Sequence, residues 1–287
     1  GPAGTAAATL LARAGREVAV FDRASFPRDK CCGDGLTALA LRELETLGLS
    51  PTTVESWQPV DDVVIRGPSG REMRYPLPAG PGIHAAVACR EDLDNSLVDP
   101  ARAAGADIRE STPLRDATAS ADGVELTVGD GEHIVARHVI AADGMWSPTR
   151  KALGLAIDGY RGEWHAFRQY YRNVSPRASR ELLIWFEKDL LPGYAWSFPL
   201  ADGRANIGFG IQRGGGRAVG AMNELWLDLL ERDQRCLLAL PFRFCDRLLA
   251  LALDPADLSE GRTGKLHVGN RLSQFRFSRA KRASAAA

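Results

Sequence analysis

GPAGTAAATLLARAGREVAVFDR, Gly1–Arg23, is the stretch on which the reading of the whole chain turns. Residues 3–14 are small or apolar with no breaker among them, which predicts a buried helix. Gly15 supplies its stop. Glu17–Phe21 is a β-branched and aromatic run, which predicts a strand, and Asp22 stands at its carboxyl end. Glycines opening a helix, followed by a strand that ends in an acid, form the second half of a dinucleotide-binding βαβ unit. The glycines let backbone approach a pyrophosphate at the helix N-terminus, where N–H groups and the dipole favour anions. The acid accepts hydrogen bonds from a ribose hydroxyl. By itself a G-x-x-G before a helix is equally a plain glycine turn; the strand and Asp22 at the right distance favour nucleotide binding. The fingerprint's first strand and first glycine are not in the sequence, so the chain is expected to be truncated at its N-terminus.

The 287 residues are 45% hydrophobic and 25% charged, with 36 basic and 36 acidic side chains. This is the balance of a soluble globular protein, with room for one large domain or two modest ones. A net charge of zero argues against a nucleic-acid partner. No apolar run approaches the roughly 18 residues of a membrane span. The cysteines, Cys31, Cys32, Cys89, Cys236 and Cys245, are odd in number and lack metal-ligand spacing, so a reducing cytoplasmic setting and no metal are expected.

Residues 36–47 form an amphipathic helical pattern with Leu36, Leu39, Leu44 and Leu47 near one face, and Gly48 ends it. Val63–Arg66 and Glu72–Tyr75 flank a GPSG turn and predict a β-hairpin. Arg90–Gly105 is helical in pattern, with a kink expected at Pro100. Val124–Val128 and His133–Ala141 predict a second hairpin. A strand is expected to end at Asp143-Gly144, with Ser147 capping a short helix whose first residue is Pro148. From about Tyr160 the texture turns to antiparallel sheet, with strands over 182–187, 194–200 and 204–212, an Asp202-Gly203 turn and a helix over 224–231. The tail RLSQFRFSRAKRASAAA carries five basic residues and no acid, which predicts disorder. The expected fold is mixed α/β: a Rossmann-like nucleotide-binding domain over 1–159, an antiparallel-sheet substrate domain over 160–242, and a divergent tail over 243–287. The two domains would be interleaved, with the active site at their junction.

Two further stretches carry chemistry. FPRDKCCGDGL, Phe26–Leu36, follows Asp22 directly; its glycines let backbone pack against a flat ring, although a plain glycine-rich loop would look the same. Cys31 and Cys32 are adjacent, too close for a strain-free disulfide. In PGYAWSFPLADG, Pro192–Gly203, the aromatics Tyr194, Trp196 and Phe198 alternate and share one face of a strand, either as an apolar wall or as core.

GPAG…FDR, KCCGDGL, CREDLD, AADGMWSPTRKALG and PGYAWSFPLADGRANIGFG together resemble the geranylgeranyl reductase family of flavoproteins, within the larger group related to p-hydroxybenzoate hydroxylase. The resemblance runs in order from Gly1 to about Leu230. It implies an FAD-binding domain with Ala3 and Gly4 at the FAD pyrophosphate and Asp22 at the adenosine ribose. Cys32, Gly33 and Gly35 would line the FAD, Arg90 would contact it, Leu114 would touch the adenine side through its backbone, and Asp143 would order the cofactor loop. Tyr194, Trp196 and Phe198 would face a long isoprenoid chain. The implied activity is reduction of carbon–carbon double bonds in a prenyl lipid of geranylgeranyl or menaquinone type, with NAD(P)H or a ferredoxin as reductant. Cys32 and Tyr194 are candidate proton donors, and peripheral membrane contact is a further implication. The family's late flavin motif has its nearest counterpart in LHVGN, Leu266–Asn270, so the C-terminus is read as divergent. A flavin monooxygenase or halogenase of the same fold, or an inactive fragment, are the alternatives.

Overall fold

The computed structural model describes residues 1–78, 83–214, 222–233, 237, 265–268 and 271–274. In chain order the elements are α1 (Pro2–Arg13), β1 (Ala19–Phe21), β2 (Gly35–Thr37), α2 (Ala38–Leu47), a 3-10 turn (Pro51–Thr53), β3 (Gln58–Pro59), β4 (Asp62–Arg66), β5 (Glu72–Pro76), β6 (Ala85–Val87), α3 (Arg90–Ser96), α4 (Val98–Ala103), β7 (Asp107–Arg109), β8 (Leu114–Ala119), β9 (Val124–Val128), β10 (Glu132–Ala136), α5 (Pro148–Ala152), β11 (Trp164–Tyr171), β12 (Leu182–Trp185), β13 (Tyr194–Pro199), β14 (Ala205–Gln212), α6 (Met222–Arg232), β15 (Lys265–Val268) and β16 (Arg271–Gln274). They divide into two units. One comprises Gly1–Val63, Tyr75–Glu163 and Leu200–Asp202; the other comprises Val64–Arg74, Trp164–Pro199 and Gly203–Ala287.

In the first unit β1 and β7 pair in parallel, Val20 opposite Ile108. Helix α1 packs near them through small side chains, with Ala8, Ala101 and Ala106 buried together and Ala12, Val18, Val20 and Ile108 against them. Gly15 ends the helix at φ 72°, its N–H donating to Ala12 O while Arg16 N–H reaches Leu11 O. The helix is not buried all round, as its composition suggested: Leu10 and Leu11 are exposed, because the close alanine contact takes the opposite face. Helix α2 is capped by Thr37, whose Oγ1 accepts from Ala40 N, and ends at Gly48 with φ 84°. It buries Leu44 and Leu47 in a cluster with Val54, Leu93 and Leu97. Leu39, read as part of the same stripe, is exposed, and Leu36 belongs to β2 instead.

The helical run over 90–105 breaks at Leu97, between α3 and α4, rather than at Pro100 itself. A proline ring clashes with the carbonyl four residues before it, here Ser96, which sets the break upstream. Strands β8, β9 and β10 form a meander. The strand expected to continue to Asp143 stops at Ala136, opposite Val124, where β9 begins and its ladder runs out. Ser147 caps α5, its Oγ accepting from Arg150 N at 2.9 Å, with Pro148 in the first turn.

The second unit is built on a six-stranded sheet in the order β11-β14-β13-β12-β4-β5. Its register gives each face a distinct character, because cross-strand partners point to the same side. One face carries Phe167 opposite Phe209 and Ile207, and is covered by Met222, Leu225, Trp226 and Leu229 of α6 in one buried cluster. The ring centroids of Phe167 and Trp226 lie 4.9 Å apart. Gly203, at φ 77°, makes the turn before β14. Within the tail read as disordered, β15 and β16 pair antiparallel, Leu266 opposite Ser273. The rest of 243–287 lies outside the described residues.

Candidate functional site

Two constellations stand out, one in each unit. The first gathers at the N-terminus of α1. Pro2 occupies its first turn and no side chain caps it, so the N–H groups of Ala3 and Gly4 have no partner from within the helix. The backbone nitrogen of Gly1 lies 3.7 Å from Asp22 Oδ2, just past the end of β1. Asp22 Oδ1 accepts from Ala24 N at 2.9 Å, which holds the carboxylate against its own turn.

Around the same helix end stand Arg28 and Arg90. A Cβ placed on Gly1 would sit 3.3 Å from Arg28 Nη2, 3.7 Å from Arg90 Nη2 and 3.7 Å from Asp94 Oδ2, so the backbone approaches all three closely. Asp94 is fully buried. Its Oδ1 accepts from Arg90 Nε at 2.7 Å and its Oδ2 from Arg90 Nη2 at 2.8 Å and Arg28 Nη1 at 2.6 Å. Two guanidiniums thus share one carboxylate beside the positive end of a helix dipole, and the cluster keeps a net positive charge. Burial works against the Arg90 charge, but the bonds and charge of Asp94 outweigh it, with a further contribution from the Cys32 side chain, and hold the guanidinium above its ordinary value. Arg90 therefore touches the Lys30–Gly35 loop. In that loop Asp34 is buried at φ 64°, its carbonyl accepts from Ala88 N at 3.0 Å, and Gly35 enters β2 opposite Val87.

The donor set fits a dinucleotide. A pyrophosphate needs N–H groups and cations at a helix N-terminus, which Ala3, Gly4, Arg28 and Arg90 supply. A ribose needs an acceptor for its hydroxyls, which Asp22 supplies.

Of the remaining sequence-derived residues in this unit, Gly33 lies in the Arg90-linked loop. Leu114 begins β8 opposite Val128 and packs beside the buried Ala117, Leu126 and Val128. Asp143 Oδ2 accepts from Thr149 N at 2.9 Å; burial would raise its pKa, but hydrogen bonds from Ser147 and Thr149 prevail and lower it. Its carboxylate therefore acts on the start of α5. Arg28 and Asp94 were not singled out from sequence. Asp94 could have been, as the i+4 partner of Arg90 within CREDLD.

The second constellation is the other face of the six-stranded sheet. Tyr194, Trp196 and Phe198 form a continuous row, with ring centroids 5.9 and 6.2 Å apart. Phe186 extends it, 6.0 Å from Tyr194. Opposite them on β14 stand Gly210, Gly208 and Asn206. Gly208 is a steric requirement: a Cβ there would fall 2.4 Å from Trp196 Cζ2 and 2.5 Å from Phe167 O. The indole lies against Gly208 and is pinned by Nε1, which donates to Asn206 Oδ1 at 3.1 Å. Trp196 is buried, whereas Tyr194 is 41% exposed. The alternation ANIGFG in β14 was the unread signal for this platform.

Fold and first constellation together define a dinucleotide-binding flavoprotein. The family described as "FAD binding domain" matches residues 1–190, and the chain belongs to it. It is 38% identical over 233 residues to menaquinone reductase of Mycolicibacterium smegmatis, covering 73% of this chain and 53% of that protein. It is 32% identical over 219 residues to digeranylgeranylglycerophospholipid reductase 1 of Methanopyrus kandleri, covering 74% of this chain and 56% of that protein. The chain thus spans about half the length of the curated relatives it matches. Among solved structures, a geranylgeranyl bacteriochlorophyll reductase-like protein from Thermoplasma acidophilum superposes with a TM-score of 0.70 at 23% identity, over 81% of this chain and 59% of that one, a likeness of fold. Among the described residues, no helix is long and apolar enough to cross a membrane.

Proposed function

We propose that the protein is an FAD-dependent oxidoreductase that reduces carbon–carbon double bonds of a prenyl lipid. The observation that carries this reading is the aromatic row of β13, with Trp196 seated on Gly208. An isolated alkene offers no oxygen for polar groups to grip, so a long isoprenoid chain must be held by apolar and aromatic surface. Developing positive charge on such a chain is stabilised by ring faces. The printed names of the relatives, menaquinone reductase and digeranylgeranylglycerophospholipid reductase, support the same substrate class.

FAD, when bound, supplies the hydride chemistry. In this proposal Ala3, Gly4, Arg28 and Arg90 hold the pyrophosphate, and Asp22 holds the ribose. Cys32, Gly33 and Gly35 line the cofactor, Leu114 presents backbone to the adenine, and Asp143 orders the segment before α5. Tyr194, Trp196 and Phe198 bind the prenyl chain and exclude water. Cys32 and Tyr194 are the candidates to deliver the proton to the second carbon. NAD(P)H or a ferredoxin is the proposed electron source. Because the substrate partitions into bilayers, peripheral membrane contact is part of the proposal.

The test is incubation of the FAD-loaded protein, chemically reduced and free of oxygen, with geranylgeranyl and menaquinone-type lipids, followed by mass spectrometry. Gain of two hydrogens per double bond is expected. Unchanged lipid under these conditions, with incorporation of oxygen once air is admitted, would overturn the reading in favour of a monooxygenase.

A further inference from the structure

The aromatic face of the six-stranded sheet continues past β13. Tyr170 of β11 stands opposite Asn206, and Asn206 stands opposite Phe198. Arg168 stands opposite Gly208, against which Trp196 packs. Cross-strand partners share a side, so Arg168 and Tyr170 lie on the same face as the aromatic row. Arg204, two positions before Asn206, continues the same alternation. The Arg168 Cζ lies 4.2 Å from the centroid of the Tyr170 ring, and the Arg204 Cζ lies 5.5 Å from it. Arg168 is 9% exposed, yet none of β11, β13 and β14 carries an acidic residue. The face is open elsewhere, for Tyr194 and Trp164 upon it are both exposed.

An apolar wall that ends at two guanidiniums matches an amphiphile, with its chain along the rings and an anion at one end. One cation is enough to stack on a ring. Two gathered on the same ring repel each other, and an oxyanion bound by both removes that cost. A guanidinium stacks through its flat face while its in-plane N–H groups fork onto phosphate oxygens. It carries five such donors, so a ligand can be held beside a protein partner. We propose that Arg168 and Arg204, gathered on Tyr170, form the head-group subsite of the prenyl-lipid site and select a chain that ends in a phosphate ester. The inference rests on the proposed function, since it takes the aromatic row as the seat of the chain. It also fixes the chain's direction: the head lies at Tyr170, and the chain runs past Phe198 and Trp196 toward the exposed Tyr194. A prenyl phosphate and a prenyl-ether glycerophosphate share this chemistry. A quinone head carries no charge and gains less from two cations.

The experiment is calorimetric titration of the FAD-saturated protein with four lipids, each below its micellar limit: geranylgeranyl phosphate, digeranylgeranyl glycerophosphate, geranylgeraniol and a menaquinone-type quinone. The better of the two phosphate-bearing lipids should bind at least about tenfold tighter than geranylgeraniol, an advantage that shrinks as salt is added. Which of the two binds tighter identifies the source of the phosphate, and either result supports the subsite. Arg204→Gln and Arg168→Gln should each cut the advantage by about tenfold or more, the loss of a charge-assisted bond. Arg180→Gln removes the same charge from an exposed position in the same unit and should leave the advantage in place. Arg204 is only half-buried, so Arg204→Gln decides the matter if Arg168→Gln does not fold. Equal affinity for alcohol and phosphate would overturn the subsite. So would an advantage that survives Arg204→Gln, or one that falls equally in Arg180→Gln. A quinone that loses as much affinity as the phosphate in Arg204→Gln would assign the guanidiniums to a neutral carbonyl and overturn the phosphate assignment. If none of the four lipids binds, the proposed function fails and the subsite with it; binding of the alcohol with no preference for phosphate defeats the subsite alone.

Discussion

Gly208→Ala is the sharpest perturbation of the aromatic platform. The added methyl carbon would stand 2.4 and 2.7 Å from Trp196 Cζ2 and Cε2 and 2.5 Å from Phe167 O. Ordinary carbon contacts begin near 3.5 Å, so the indole must retreat by about 1 Å. It cannot do so and keep its 3.1 Å bond to Asn206, which is fully buried. Overpacking of this kind costs about 1–3 kcal/mol, and the lost buried hydrogen bond adds about 1 kcal/mol. The sum, about 2–4 kcal/mol, corresponds to a fall of roughly 3–7 °C in Tm for a protein of this size. A double-mutant cycle identifies the cause. Trp196→Ala alone should cost about 3–5 kcal/mol. In that background Gly208→Ala should cost about 1–3 kcal/mol less than in the wild type, because only the Phe167 carbonyl still opposes the methyl group. Thermal and urea unfolding of the four proteins measure this coupling. Equal costs of Gly208→Ala in both backgrounds would refute the packing of the ring on the glycine.

Other perturbations test the rest of the account. Asp22→Ala should raise the FAD dissociation constant about ten- to a hundredfold, the loss of a charge-assisted hydrogen bond, as read by flavin fluorescence titration. Asp94→Asn leaves Arg28 and Arg90 without their shared carboxylate and should destabilise the protein by about 3–5 kcal/mol, measured from the urea midpoint; a change under 1 kcal/mol would contradict the buried ion cluster. His165 is pushed below its ordinary 6.5 by burial and by the charge of Arg213, whose Nη2 lies 2.5 Å from His165 Nδ1. With the folded value below the unfolded one, the neutral ring's contribution is full above pH 6.5 and is lost as pH falls toward the folded value. His165→Gln should flatten stability against pH in that window, which chemical unfolding at a series of pH values will show.

Local signals in the sequence were sufficient where a single residue decides the backbone. Gly15, Gly48 and Ser147 end or begin helices where their chemistry requires it, and Tyr194, Trp196 and Phe198 share a face because a strand alternates. The parallel pairing of β1 with β7 likewise accords with the βαβ reading of the opening stretch. Less was legible where a partner distant in sequence decides. Leu39 has the right spacing for the α2 stripe yet is 66% exposed. The run after Ala136 has strand composition, but β9 gives it no further ladder. Arg28 and Asp94 meet across 66 residues, and no local pattern announces that pairing. The role of Gly208 emerges only once β13 and β14 are in register.

The central claim, that electrons pass from a flavin on this protein to a prenyl double bond, is tested most directly by anaerobic rapid mixing. FAD-loaded protein, reduced and freed of excess reductant, is mixed with a menaquinone-type or geranylgeranyl lipid, and oxidised-flavin absorbance is followed while the lipid is quenched for mass spectrometry. The account predicts that absorbance returns without oxygen and that each flavin reoxidised matches one double bond saturated. A flavin that stays reduced in the presence of lipid, and reoxidises only when oxygen is admitted, would contradict it.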